Sequence, residues 1–294
     1  MTSRTEKNKE QADEIINEEK RVKSKKRNTK ITIVTVILIT ILTLTYSYMR
    51  FIATSGIIVK EYSLSYDNLP IEFDGIKVIQ LSKINYGSTI NKQELNDITK
   101  KINYIKPDII IFTGDLLSED YKSSKQENET LIKSLNNLEA TIGKYAVLSN
   151  NDKSVANNIM NNTDFQILED SYELIYHKGV KPIILMGIKS KNNIDVSSSY
   201  YKEETSNKNI FNITITSDKK LINQIMQNDY RQNIIMTNDN ESPIKIPFVT
   251  DYKETYTINN TNIFVSSGLG TSINKLRLFN RPSINFYRIN VNDN

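Results

Sequence analysis

The 294-residue sequence contains no cysteine, no tryptophan and a single histidine, His177. The lack of cysteine excludes a disulfide framework, a thiolate zinc site, an iron–sulfur cluster and a cysteine nucleophile. One histidine excludes any metal site built on two or three imidazoles of a single chain. Also missing is a charge excess in the main body. The net charge is +4, but residues 1–30 hold 10 Lys/Arg against 6 Asp/Glu, and the rest of the chain carries 28 of each. Nucleic-acid or polyphosphate partners held by a broad positive field are therefore not expected, because such surfaces need clustered excess Lys and Arg. With 38% hydrophobic and 24% charged residues, the composition is that of a globular protein able to bury one large core or two smaller ones.

What is present begins with a charge block and an apolar run. Arg21, Lys23, Lys25, Lys26, Arg27 and Lys30 form an acid-free cluster, followed by an uncharged stretch from Ile31 to Met49 rich in Ile, Val, Leu and Thr. As a helix, those residues span roughly 28 Å, the thickness of a bilayer core. A cleaved signal peptide has a shorter apolar region, so an uncleaved anchor over 31–53 is predicted. The basic block before it, against Arg50 and Lys60 after it, predicts a cytoplasmic amino terminus and a body outside the cell membrane. The first 30 residues read as a polar, basic, cytoplasmic tail, with local helix conceivable around Ala12 to Lys20.

The body, 57–294, reads as alternating strands and helices. A strand is predicted over Ile57–Tyr66 and another over Gly75–Leu81, followed by a helix on Leu95, Ile98, Ile102 and Ile105 that Lys106-Pro107 ends. A strand at Asp108–Thr113, a helix near Glu127–Leu138 and a strand at Lys144–Leu148 continue the pattern. Parallel strands joined by helical crossovers place ligands beyond the carboxyl ends of the strands. Past residue 160, strands dominate, with one further helix near Lys220–Gln227 and a polar loop over 189–209. Two sheets with helices outside both are expected.

Several segments at the strand ends resemble the calcineurin-like metallophosphoesterases, in particular their membrane-anchored bacterial branch. The resemblance covers about residues 57–290. It is carried by Leu69-Pro70-x-x-Phe73-Asp74-Gly75, by Pro107-Asp108 leading to Phe112-Thr113-Gly114-Asp115-Leu116, and by Tyr145 to Asp152. Val265 to Thr271, with Leu276-Arg277 and Arg281-Pro282, completes it. The resemblance implies an α/β fold, a two-sheet α/β/β/α sandwich preceded by one transmembrane helix. It also implies a two-cation centre for phosphoester hydrolysis, with ligands from five strand-end motifs.

The motifs are degraded here. Where the family has Asp-x-His, this chain has Lys83-Ile84-Asn85. Its Gly-Asp survives as Gly114-Asp115, and its Gly-Asn-His-Asp reads Ser149-Asn150-Asn151-Asp152. A lone histidine is matched by Ser217, and Gly-His-x-His by Thr237-Asn238-Asp239-Asn240. Of the ligand positions only Asp115 and Asn150 remain, and Lys83 brings an ammonium to the centre. Two cations roughly 3.5–4 Å apart need several anionic or imidazole ligands. No catalytic residue and no metal site are therefore expected, and a Lys83–Asp115 pair is anticipated in the vestigial cleft. The leading expectation is a pseudo-phosphoesterase acting as an extracytoplasmic binding or regulatory module.

Other readings stand beside it. Asn85, Asn150, Asn151, Asn238 and Asn240 could converge on a sugar or peptide. A single weakly held Mg²⁺, Mn²⁺ or Ca²⁺ on Asp115, Asp152 and Asp239 could support a divergent phosphoester hydrolase. An intact paralogue could be the partner. The membrane itself and a cell-envelope ligand are the other partners implied. His177, in Tyr176-His177-Lys178-Gly179, reads as an exposed residue of a hairpin turn, and Gly268-Leu269-Gly270 lacks the lysine of a phosphate loop.

Overall fold

The computed structural model describes residues 4–87, 89–152, 154–189, 210–227, 232–239, 244–250, 252–271 and 274–292. The chain divides into two units, Met1–Ile52 and Ala53–Asn294.

The first unit is one long helix, α1 (Arg4–Ser47), closed by a π-helical turn over Tyr48–Ile52. Helix extends well beyond the short stretch that the polar tail suggested. Residues 4–47 contain neither Gly nor Pro, and their Glu, Lys, Arg and Ala favour helix. Asp13–Ile52 is long and apolar enough to cross a membrane. The threonines suit an apolar solvent: Thr32, Thr35, Thr40 and Thr43 each donate a hydroxyl to the carbonyl four residues earlier, at 2.8–3.0 Å. Their polar groups are thus satisfied inside the helix, as a bilayer requires.

The second unit contains two six-stranded sheets. The first is built from β1 (Ile58–Tyr66), β2 (Ile76–Leu81), β3 (Ile109–Phe112), β4 (Gly143–Ala146), β5 (Gln166–Ile167) and β12 (Ser283–Val291), in the order β1-β12-β2-β3-β4-β5. Strands β2 to β5 are parallel, and β12 runs antiparallel to β2 and parallel to β1. The second sheet is built from β6 (Ser171–Ile175), β7 (Ile183–Ile188), β8 (Asn212–Thr216), β9 (Ile234–Asn238), β10 (Thr255–Ile258) and β11 (Thr261–Ser266). Its order is β10-β11-β9-β8-β7-β6. Strands β7, β8, β9 and β11 are parallel.

Helices α2 (Lys92–Ile105), α3 (Lys125–Asn136) and α4 (Ser154–Asn161) cover the first sheet, where Leu95, Ile98, Ile102, Leu131 and Ile159 pack with Ile79, Ile110 and Phe112. The two sheets share a core of Val78, Ile109, Ile111, Ile213, Met236 and Phe264. The far face of the second sheet is covered by α5 (Ile222–Gln227), through Ile222 and Ile225 against Met186, Ile235 and Ile263. The layers are helices, sheet, sheet, helix, as the strand pattern and the resemblance imply. Helix α2 shows how local signals place them. Asn91 and Glu94 form a reciprocal capping box, and Lys106 ends the helix in the left-handed region just before Pro107. The polar stretch expected to be a loop falls, at 190–209, outside the described residues.

Candidate functional site

The strands β2, β3 and β4 of one sheet and β8, β9 and β11 of the other end on the same side, and their exit loops meet there. Lys83 N donates to Gly114 O at 2.9 Å, Asn85 N to Asp115 O at 3.0 Å, and Tyr86 N to Leu116 O at 2.8 Å, so the loops after β2 and β3 stay zipped beyond the sheet. Lys83, Asn85 and Asp115 have φ of 48°, 46° and 62°. Side-chain-bearing residues in this left-handed region cost energy, and such strain gathers at functional sites. Gly114, at φ 89°, lies where a Cβ would come within 2.9 Å of Ser149 N and 3.0 Å of the Ser217 Cβ. The three strand ends touch at that glycine.

Both sheets are stitched together at this end. Gln80 Nε2 donates to Thr237 O at 2.9 Å, Asn238 Nδ2 to Thr113 O at 2.8 Å, and the Ser82 hydroxyl to the Ser266 hydroxyl at 2.7 Å. The buried Lys83 ammonium donates to Asp239 O at 2.7 Å. The Asp239 carboxylate, only 2% exposed, pairs with Lys219 at 3.3 Å and with Lys245. Burial lowers the Lys83 pKa from 10.5, while Asp115 and then Asp239 pull it back up. Arg277, also buried, holds the loop after β11 by donating to the carbonyls of Ser267, Gly268 and Gly270 at 3.2, 3.0 and 2.7 Å.

Asp115 and Asp152 are organised differently. The Asp152 carboxylate accepts three backbone N–H groups, from Asp115 at 3.0 Å, Leu116 at 2.8 Å and Ser149 at 2.8 Å. Burial pushes its pKa up, with the Asp115 charge acting in the same direction and the three N–H donors opposing. The Asp115 carboxylate accepts the Ser149 hydroxyl at 2.7 Å.

Of the residues singled out from the sequence, Asn85, Asp115, Asn150 and Asn151 line one cavity of ≈ 550 Å³, together with Ser118, Glu119, Tyr121 and Asp152. Lys83, Ser217 and Asn238 do not line it. They are buried, with Ser217 Oγ donating to Leu148 O at 3.4 Å. Asn238 thus makes a cross-sheet bond rather than joining an asparagine cluster, and Asn240 lies outside the described residues. Among the described residues Lys83 and Asp115 form no direct ion pair, contrary to the expectation. The Lys83 side chain crosses to the other sheet and Asp115 turns to Ser149. Sequence reasoning singled out Asp239 as a cation-ligand candidate but missed its grouping with Lys219 and Lys245, which only the fold brings together. His177 lies between β6 and β7 as expected, but it is half-buried rather than exposed. Its ring centroid is 5.6 Å from that of Phe73, away from the strand ends that form the site.

No protein-family profile matches the chain. It is 25% identical over 263 residues to the uncharacterized metallophosphoesterase YkuE of Bacillus subtilis, an alignment covering 83% of this chain and 89% of that protein. The chain is thus similar, over most of its length, to a bacterial metallophosphoesterase. The transmembrane protein with metallophosphoesterase domain of Danio rerio is 22% identical over 125 residues, 42% of this chain and 25% of its own length. The UDP-2,3-diacylglucosamine pyrophosphatase LpxG of Chlamydia trachomatis is 31% identical over 88 residues, 29% of this chain and 26% of LpxG. The chain thus spans most of YkuE but about a quarter of the other two. Among the described residues no three His, Asp or Glu side chains gather as metal ligands.

Proposed function

We propose that this metallophosphoesterase-fold protein has exchanged the metal centre of its cleft for an internal charge network. It would be anchored by α1 with its amino terminus in the cytoplasm and would work outside the cell membrane as a binding or regulatory module. The observation that carries the reading is the Lys83 ammonium, buried where the family places a metal ligand and bonded to Asp239 O at 2.7 Å. Around it the donor chemistry does not fit two cations. Asp239 faces Lys219 and Lys245, and Asp152 is committed to three N–H groups, so Asp115, Asn85 and Asn150 are what remain at the strand-end motifs. One available carboxylate with neutral amides does not offset the desolvation and mutual repulsion of a cation pair. The same commitments argue against a single cation on Asp115, Asp152 and Asp239.

The cavity remains, and its rim of Asn150, Asn151, Ser118, Tyr121 and Glu119 offers donors and acceptors suited to a polar ligand. The basic block before the apolar run supports the orientation, because Lys and Arg are retained on the cytoplasmic side. The test is turnover of an aryl phosphodiester by the purified full chain with added Mn²⁺, beside Asp115→Ala. Equal background rates in both are expected. Turnover that Asp115→Ala abolishes contradicts the reading.

A further inference from the structure

Outside the cleft, one surface has no role in the site. Phe248, Val249, Phe279 and Ile246 are 107%, 75%, 63% and 41% exposed. They come from two segments that the fold joins: Ile244 bridges Leu278, and Lys245 N donates to Leu278 O at 2.9 Å. The turn that presents Phe248 is closed by Val249 N and Thr250 N, both donating to Ile246 O, at 3.1 and 3.0 Å. Phe248 and Phe279 have φ of 65° and 53°. Two bulky aromatic residues held in the left-handed region with their rings in solvent make an unusual surface.

The position of this surface gives it a meaning. Phe279 is two residues from Arg281, whose Nη2 donates to Ser55 O at 3.0 Å. Ser55 is three residues beyond Ile52, where the apolar helix ends. Three residues of chain reach at most about 10 Å. The apolar surface therefore stands where the body receives the chain from its anchor. The cleft opens at the same end, because Ile58 pairs with Ser283 and β12 runs antiparallel to β2, so β1 begins where β2 finishes.

We propose that Ile246, Phe248, Val249 and Phe279 form a lipid-docking face that seats the body on the outer membrane–water interface. The proposal rests on the reading of α1 as a membrane anchor. A tether of a few residues holds the bilayer at high effective concentration, which favours lipid over a second copy of the chain as the occupant. Aromatic and aliphatic side chains at such an interface bury apolar area while the nearby Arg281 guanidinium can stay at headgroup level.

The natural absence of cysteine permits a direct test. Phe248→Cys, Phe279→Cys, Val180→Cys and Leu42→Cys are each labelled with an environment-sensitive fluorophore in the full chain. The proteins are reconstituted in phosphatidylcholine and phosphatidylglycerol vesicles with or without lipids carrying a quencher near the headgroup or in the acyl chain. Val180 is 87% exposed before β7, at the opposite end of the parallel strands, and Leu42 lies in α1. Expected is at least twofold quenching at 248 and 279 by the shallow quencher, strong quenching at 42 by the deep one, and none at 180. Quenching at 42, with 248 and 279 behaving like 180, overturns the docking face and leaves the anchor standing. No quenching at 42 overturns the anchor and the docking face together. A spectral change at 248 that follows protein density and ignores the quenchers assigns the patch to a second copy, and also overturns the proposal.

Discussion

The ammonium of Lys83 lies 2.7 Å from the backbone oxygen of Asp239, so a side chain leaving β2 in one sheet is bonded to the residue following β9 in the other. The bond joins the exit loops of the two sheets at the strand ends. Its partner is a neutral carbonyl, while the Asp239 carboxylate is balanced by Lys219 and Lys245. Lys83→Met keeps the length of the stem and removes a desolvated charge. It is expected to change stability by less than about 1 kcal/mol. Lys83→Ala removes the stem as well, and a loss of about 1–3 kcal/mol is expected. Chemical denaturation of the full chain and both variants measures the difference.

Asp239→Asn tests the network from its centre. The substitution leaves Lys219 and Lys245 facing a neutral amide in a buried position. Breaking such a group by removing the counter-charge costs about 3–5 kcal/mol. A larger drop in unfolding midpoint is therefore expected for Asp239→Asn than for either Lys83 variant.

Gly114→Ala tests the meeting point of the strand ends. The backbone has φ 89°, and the new Cβ would lie 2.9 Å from Ser149 N and 3.0 Å from the Ser217 Cβ. Strain and contact together are expected to destabilise the fold by about 1–3 kcal/mol, read as a lower thermal midpoint.

The pH dependence of stability carries the mark of Lys83. Burial lowers its folded pKa below the ordinary 10.5, so the unfolded chain keeps the proton to higher pH than the folded one. Stability from this group rises as pH climbs from the folded value toward 10.5 and is lost as pH falls through the folded value. Tyr62, Tyr66 and Tyr86, each pushed up to about 12 by burial, act with the opposite sign: their contribution is present below pH 10 and is lost as pH rises toward about 12. Below about pH 10 the Lys83 contribution is thus separable. The difference in unfolding free energy between wild type and Lys83→Met is expected to move in favour of wild type as pH rises toward that limit. A difference independent of pH would exclude the buried ammonium as its source.

Much of this architecture is legible in the sequence because its signals are local. Leu95, Ile98 and Ile102 mark the buried face of α2, Pro107 marks its end, and the unbroken Ile109-Ile110-Ile111-Phe112 reads as a strand buried on both faces. Helix α4 escapes such reading: its eight residues bury only Ala156, Ile159 and Met160, too short a stretch for periodicity to stand out. The cavity residues Asn85, Asp115, Asn150 and Asn151 are accessible through the order of the motifs. The grouping of Lys83, Lys219, Lys245 and Asp239 is not, because it joins exit loops from different strands and a segment far along the chain. Composition alone does not reveal which of many lysines turns inward.

The most direct test of the proposed exchange of a metal centre for a charge network is metal stoichiometry. The full chain is purified in the presence of Mn²⁺, freed of unbound ion, and assayed by elemental mass spectrometry beside Asp115→Ala. The charge network predicts the same trace content, well below one equivalent, in both proteins. One or two equivalents of metal in the wild type, lost in Asp115→Ala, would contradict it.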